Sequence, residues 1–179
     1  MDETISLSVE AWLDGEYDAE TKNAILALKE ANPTELIDAF YKTLDFGTGG
    51  LRGLMGVGTN RLNVYTIRMA TQGLADYIRR QPALDNDNEH SVIIGYDCRH
   101  NSRLFAEEAA KVLAGNGIRA YIFRALRPCP LVSFGCRYKQ CTAGIMITAS
   151  HNPPQYNGFK VYWADGAQVL PPYDRGIIE

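Results

Sequence analysis

The sequence has no long apolar run. None approaches the roughly 20 residues that a membrane-spanning helix needs, so no membrane partner is expected. Positive charge is not in excess either. Lys and Arg number 18 against 21 Asp and Glu, a net charge of -3 with a pI near 5.6. Nucleic-acid binding needs a clustered basic surface, so no such partner is expected. A small anionic ligand needs only local positive charge and stays open. Cysteine is scarce. Cys98, Cys129, Cys136 and Cys141 form no C-x-x-C pair, and His90, His100 and His151 make no pattern with them. That spacing argues against zinc. Reduced thiols in a cytoplasmic protein are the expectation. The opening MDETISLSVE is acidic where a secretory leader is basic.

What is present suits a packed globular chain. Hydrophobic residues make up 46% and charged residues 22%, so 179 residues can bury one ordinary core. Residues 1–45 read as a helical extension. Asn32-Pro33-Thr34-Glu35 is a helix start, with a capping residue, proline in the first turn, and a glutamate able to reach back. Leu36, Ile37, Phe40, Tyr41 and Leu44 follow at helical spacing, and an earlier helix over 19–31 is expected to turn Ile25, Leu26 and Leu28 inward.

The character changes at Phe46. Six glycines fall between Gly47 and Gly58, a density that signals unusual backbone or close approach to a ligand. A helix capped by Asn63 follows, then the polar loop Pro82–His90. Strands are expected over 91–97, 118–123, 142–150 and 159–163, with helices over 103–117 and 130–139 between them. Strand–helix alternation implies parallel pairing, and ligands of such sheets bind outside the carboxyl ends of the strands. Those ends are 97–103, 124–130 and 148–156. Beyond Pro171-Pro172 a linker or an incoming helix is expected.

The third of these segments holds Thr148-Ala149-Ser150-His151-Asn152-Pro153-Pro154. The residue before a proline is driven to extended geometry, so this loop can hold a hydroxyl rigidly. A Ser–His hydrolase is disfavoured, because neighbours in extended chain point apart and the G-x-S-x-G elbow is absent. A phosphorylated serine fits better. Its phosphate would need donors and cations, and His151, Asn152, Lys160, Arg52 and Arg99 are the candidates. The alternative is a non-catalytic anion-binding α/β domain whose serine is never phosphorylated.

The string Thr148–Pro153 resembles the phosphoserine loop of the α-D-phosphohexomutases, the phosphoglucomutases and phosphomannomutases. Phe46-Gly47-Thr48-Gly49-Gly50-Leu51-Arg52-Gly53, Gly95-Tyr96-Asp97-Cys98-Arg99, Pro128-Cys129-Pro130-Leu131 and Asn157-Gly158-Phe159-Lys160 resemble that family's other segments, in the same order. The resemblance implies a mixed, mostly parallel sheet flanked by helices over 46–179, the first of about four domains, with 1–45 as the N-terminal helical extension.

It also implies a chemistry. Phospho-Ser150 would give its phosphoryl group to a hexose or pentose phosphate. A sugar 1,6-bisphosphate would turn round in the cleft, and its other phosphate would return to Ser150. Ser150, His151, Lys160 and Arg52 are the implied catalytic residues, with Asn152 and Arg99 binding phosphate, or Arg99 instead fixing the loop that bears Ser150. Gly49, Gly50 and Gly53 are expected to let the Arg52 segment approach the phosphoserine. Mg²⁺ is the implied cofactor, held by the phosphate on Ser150 and by aspartates of a D-G-D-x-D-R loop. No such loop is present; Asp165-Gly166-Ala167 is the nearest string. The resemblance therefore implies that the remaining domains of the same polypeptide complete the site, and that this piece alone is inactive.

Overall fold

A computed structural model describes residues 2–47, 49–82, 89–171 and 173–178. Thr48 and most of the Pro82–His90 loop lie outside the described residues. Three helices come first: α1 (Glu3–Asp14), α2 (Ala19–Ala31) and α3 (Pro33–Phe40). Each begins on a side-chain cap. For α3, Asn32 Oδ1 accepts from the Glu35 amide at 3.2 Å, with Pro33 in the first turn. The Glu35 carboxylate takes the Asn32 side-chain amide, not its backbone, at 3.1 Å.

These helices close a small core of their own around Val9, Trp12, Ile25, Leu36, Ala39 and Phe40. The expected inward set is too wide. Ile37, Tyr41 and Leu26 are exposed. A short helix packed on one side buries a single stripe, here Leu36, Ala39 and Phe40, and residues one step round it face solvent. Trp12 stacks on Tyr17 and meets Phe40 and Tyr65 edge-on. Tyr65 belongs to α4 (Val64–Arg79), so the aromatic cluster joins the extension to the rest.

The sheet holds β1 (Gly50–Leu54), β2 (Ser91–Tyr96), β3 (Arg119–Ile122), β4 (Ala143–Ile147) and β5 (Tyr156–Trp163), in the order β1-β5-β4-β2-β3. Strands β2, β3 and β4 are parallel, and β5 runs against both β4 and β1. The reversal follows from chain length. Only eight residues separate Ile147 from Tyr156, and a parallel crossover needs a dozen or more. Helices α4 and α5 (Ser102–Gly115) cover one face, α6 (Cys129–Tyr138) covers the other, and α7 (Tyr173–Ile178) packs on α4.

The glycine-rich stretch holds the unusual backbone its composition signals, with positive φ at Gly49, Gly50, Gly56 and Gly58, and it also contains strand β1, which was not expected. Strand β1 is an edge strand, and Gly50 lets it lie close against β5. Gly50 has φ +137°, and a Cβ there would sit 1.9 Å from the Phe159 carbonyl oxygen. Gly49 lies against the Gln168 side chain and Gly53 against Leu44. Gly50→Ala should therefore lower stability by about 3 kcal/mol or more, combining backbone strain with a backbone clash. Chemical denaturation checks this.

Buried Glu108 on α5 accepts from Arg68 at 2.7 Å and from Lys111 at 2.6 Å. Burial pushes its carboxyl up, but the hydrogen bonds from Lys111 and Arg68 outweigh burial and hold it below its ordinary value. A depressed carboxylate contributes stability above its unfolded pKa and loses it as pH falls through the folded one. Glu108→Gln should cost about 1–2 kcal/mol at neutral pH and nothing once the wild-type carboxyl is protonated. Urea melts at neutral and acidic pH would show the two curves converging.

Candidate active site

Ser150 lies in the eight-residue link between β4 and β5, outside the carboxyl end of the parallel strands. Its backbone is left-handed, φ +57°, and its side chain is exposed. The Ser150 amide donates to Thr148 Oγ1 at 2.9 Å, and the Asn152 amide donates to the Ala149 carbonyl at 3.1 Å. The link is thus a hydrogen-bonded turn, not extended chain. That corrects the argument that Ser150 and His151 point apart: Ser150 Oγ lies 3.4 Å from Nδ1 of His151.

The turn is held from below by one side chain. Nη1 of Arg99 donates to the Pro153 and Tyr156 carbonyls at 2.9 and 3.0 Å. Nη2 donates to the Ser150 and Asn152 carbonyls at 2.8 and 2.6 Å. Arg99 Nε faces the Asp97 carboxylate at 3.4 Å. Asp97 also accepts from the Arg99 amide at 3.0 Å and from Ser102 Oγ at 2.7 Å. Arg99 is therefore committed to protein oxygens through all three guanidinium nitrogens.

Arg52 reaches the turn from β1, donating from Nη1 to Asn152 Oδ1 at 3.1 Å. Lys160 sits on β5 opposite Gly50 and Met146. Register places it on the same sheet face as Arg52, the face against α6. Among the described residues its side chain makes no hydrogen bond or ion pair. The structure thus brings Ser150, His151, Asn152 and Arg52 together above Arg99, and leaves Lys160 further along the same sheet face as Arg52 with its ammonium unengaged. A cleft of about 290 Å³ opens between Ser150, Asn152 and Pro154 on one side and Asp97–His100 on the other. A larger open groove of about 880 Å³ lies against β3 and α5, away from all of these residues.

Two participants, Thr148 and Ser102, had no role assigned from the sequence, and a third, Asn157, takes a buried place. Thr148 anchors the Ser150 amide. Ser102 holds Asp97. Asn157 is fully buried: it donates to the His100 carbonyl at 3.0 Å and to Ser102 Oγ at 2.9 Å, and accepts from the Gly158 amide at 2.8 Å. The β2–α5 loop and the serine turn are therefore joined twice, through Arg99 and through Asn157. Only its position inside Asn157-Gly158-Phe159-Lys160 marked this residue beforehand.

The donor set does not make a complete divalent-cation site. Among the described residues no group of three or more His, Cys, Asp or Glu side chains comes together to hold a metal. Asp97, the carboxylate among the described residues that line the cleft, is engaged by Arg99 and Ser102.

Residues 43–179 match the family described as phosphoglucomutase/phosphomannomutase, alpha/beta/alpha domain I. The chain belongs to the phosphoglucomutase/phosphomannomutase family. It is 40% identical over 173 residues to a human phosphopentomutase, covering 93% of this chain and 28% of that one. It is 47% identical over 130 residues to a Staphylococcus haemolyticus phosphoglucomutase, covering 73% of this chain and 23% of that one. A solved structure of a phosphomannomutase-like protein from Thermus thermophilus superposes with a TM-score of 0.67 at 29% identity, over 76% of this chain and 29% of that one. The chain spans less than a third of the length of these curated relatives. Among the described residues no helix is long and apolar enough to cross a membrane.

The Arg99 arrangement has a mechanical consequence. Lysine offers one ammonium where arginine offers a planar fork, so it cannot replace four carbonyl contacts. Arg99→Lys should speed amide exchange across residues 150–157 by about tenfold or more, the equivalent of losing one to two net hydrogen bonds. Exchange in α4 should stay unchanged, as read by mass spectrometry.

Proposed function

We propose that this chain is the phosphoserine-bearing part of a phosphomutase. Residues 46–179 form its first domain and 1–45 a helical extension. Ser150 carries a phosphoryl group that passes to the free hydroxyl of a sugar phosphate. The resulting bisphosphate reverses in the cleft and returns its other phosphate to Ser150. The net change moves phosphate between the 1-position and the 6-position of a hexose, or the 5-position of a pentose. Relatives of both kinds resemble this chain to a similar degree, so the sugar stays at the level of an aldose phosphate. The reaction is an isomerisation in carbohydrate metabolism, and a cytoplasmic setting suits its phosphorylated substrates.

The observation that carries this reading is the exposed Ser150 hydroxyl on a clamped turn with cations around it. Phosphoryl transfer asks a protein mainly for alignment and charge neutralisation. Arg99 supplies alignment through the backbone. Arg52, oriented by Asn152, and His151, beside the oxygen, face a phosphate on Ser150. Lys160, on the same sheet face as Arg52, is assigned to stabilise charge on the transferring oxygen. Mg²⁺, which accepts phosphate oxygens and carboxylates, would take one ligand from phospho-Ser150. Its carboxylates would come from the remainder of the polypeptide, so the domain by itself is proposed to be inactive.

Two measurements test the proposal. Peptide mapping of protein from its native host should find a single phosphate on Ser150. In the full-length polypeptide, Ser150→Ala should remove nearly all turnover with glucose 1-phosphate or ribose 1-phosphate. A variant that still turns over near the wild-type rate would overturn the reading.

A further inference from the structure

Charge is distributed unevenly along this chain. Residues 1–45 hold 11 acidic and 3 basic side chains. From Ala109 to Ala164 there is no acidic residue, against seven basic ones: Lys111, Arg119, Arg124, Arg127, Arg137, Lys139 and Lys160. A run of 56 residues without a carboxylate, in a chain whose net charge is negative, calls for a physical account.

The fold sorts these cations by position. At the amino end of β3 and on α5 they are neutralised: Arg119 pairs with Glu89, and Lys111 with Glu108. Arg137 and Lys139 sit at the last turn of α6, where the helix dipole is negative. At the carboxyl end of the sheet the pattern changes. Arg124 and Arg127 lie on the link from β3 to α6, and neither makes an ion pair among the described residues. Arg124 is exposed, and Arg127 Nη1 only touches its own chain, at the Leu126 carbonyl, 2.9 Å away.

That link runs along the end of β2. The Phe123 amide donates to the Ile94 carbonyl at 3.1 Å, and the Arg127 amide to the Tyr96 carbonyl at 3.0 Å. The next residues of β2's chain, Asp97–His100, form one wall of the Ser150 cleft. The two arginines therefore flank that wall on the side away from Ser150. Asp97, the carboxylate at the cleft, is already engaged by Arg99.

We propose that Arg124 and Arg127 form an outlying cationic rim that draws sugar phosphates to the Ser150 cleft and holds the more highly charged bisphosphate while it turns. The inference rests on the mutase reading above. Unpaired charges around a cleft raise the local concentration of oppositely charged ligand, and the attraction grows with ligand charge. A rim without carboxylates leaves that field uncancelled. The arginines act at a distance through the field, so chemistry at Ser150 does not need them. Salt screens such interactions beyond about 8 Å at physiological ionic strength.

The test uses the full-length polypeptide with Arg124→Glu, Arg127→Glu and, as control, Arg80→Glu. Arg80 follows the last residue of α4, leading to the amino end of β2. Its reversal changes net charge equally but away from the cleft. At low salt, Arg124→Glu and Arg127→Glu should each raise KM for glucose 1-phosphate roughly five- to tenfold, with kcat within about twofold of wild type. The half-activating concentration of glucose 1,6-bisphosphate should rise by a larger factor. High salt should close both gaps, and Arg80→Glu should move neither. An unchanged KM, a change insensitive to salt, an equal effect on both ligands, or a fall in kcat alone would overturn the rim. Ser150→Ala assayed alongside separates the two readings. If it abolishes turnover while the arginine variants match wild type, the rim fails and the mutase assignment stands. If it keeps turnover, the mutase assignment itself fails.

Discussion

One guanidinium underlies the geometry of the site. Arg99 gathers the carbonyls of Ser150, Asn152, Pro153 and Tyr156 onto its two terminal nitrogens, with Asp97 facing the third. Four carbonyl dipoles converging on one point are stable only around a cation, and a planar fork suits them better than a point charge. The turn between β4 and β5 owes its shape to this centre. The direction of the Ser150 hydroxyl follows from the turn, as does the reach of Arg52 to Asn152. Asp97 and Ser102 hold Arg99 from the β2–α5 side, and buried Asn157 ties that loop to β5. The functional surface is a rigid polar knot at the end of a sheet.

The sheet explains why the knot sits there. Parallel strands β2, β3 and β4 deliver three loops to one end, and the short β4–β5 link forces β5 to return antiparallel. That return brings Lys160 back along the sheet and lets β1 add its edge with Arg52 on the same face. An antiparallel edge on an otherwise parallel sheet thus puts two cations, from segments more than a hundred residues apart in sequence, on one sheet face, one of them reaching the serine turn.

Much of this was legible in residue order, and what was not has physical reasons. The helix starts at Asn32 and Asn63 could be read because capping is local chemistry. The serine turn could be read because proline restricts its neighbours and the string is distinctive. Strand β1 could not, since Gly50-Leu51-Arg52-Gly53-Leu54 lacks β-branched residues and is a strand only because β5 pairs with it. The approach of His151 to Ser150 depends on the sign of one φ angle, which a non-glycine residue does not announce. The burial of Asn157 depends on partners 55 and 57 positions away. Ile37 and Tyr41 show the same limit from the other side: helical period is visible in the sequence, but the width of the buried stripe is set by what packs against it.

The left-handed backbone at Ser150 sets fold and chemistry against each other. A side chain in that region carries strain of order 1 kcal/mol that glycine would not. Selection for folding alone would drift this position toward glycine, relaxing the turn and leaving the Arg99 contacts to its carbonyl intact. A serine at this position forgoes that relief. Replacing Ser150 by glycine would therefore remove the hydroxyl and give a sturdier protein, so thermal robustness among natural or engineered variants is no guide to whether the hydroxyl is retained.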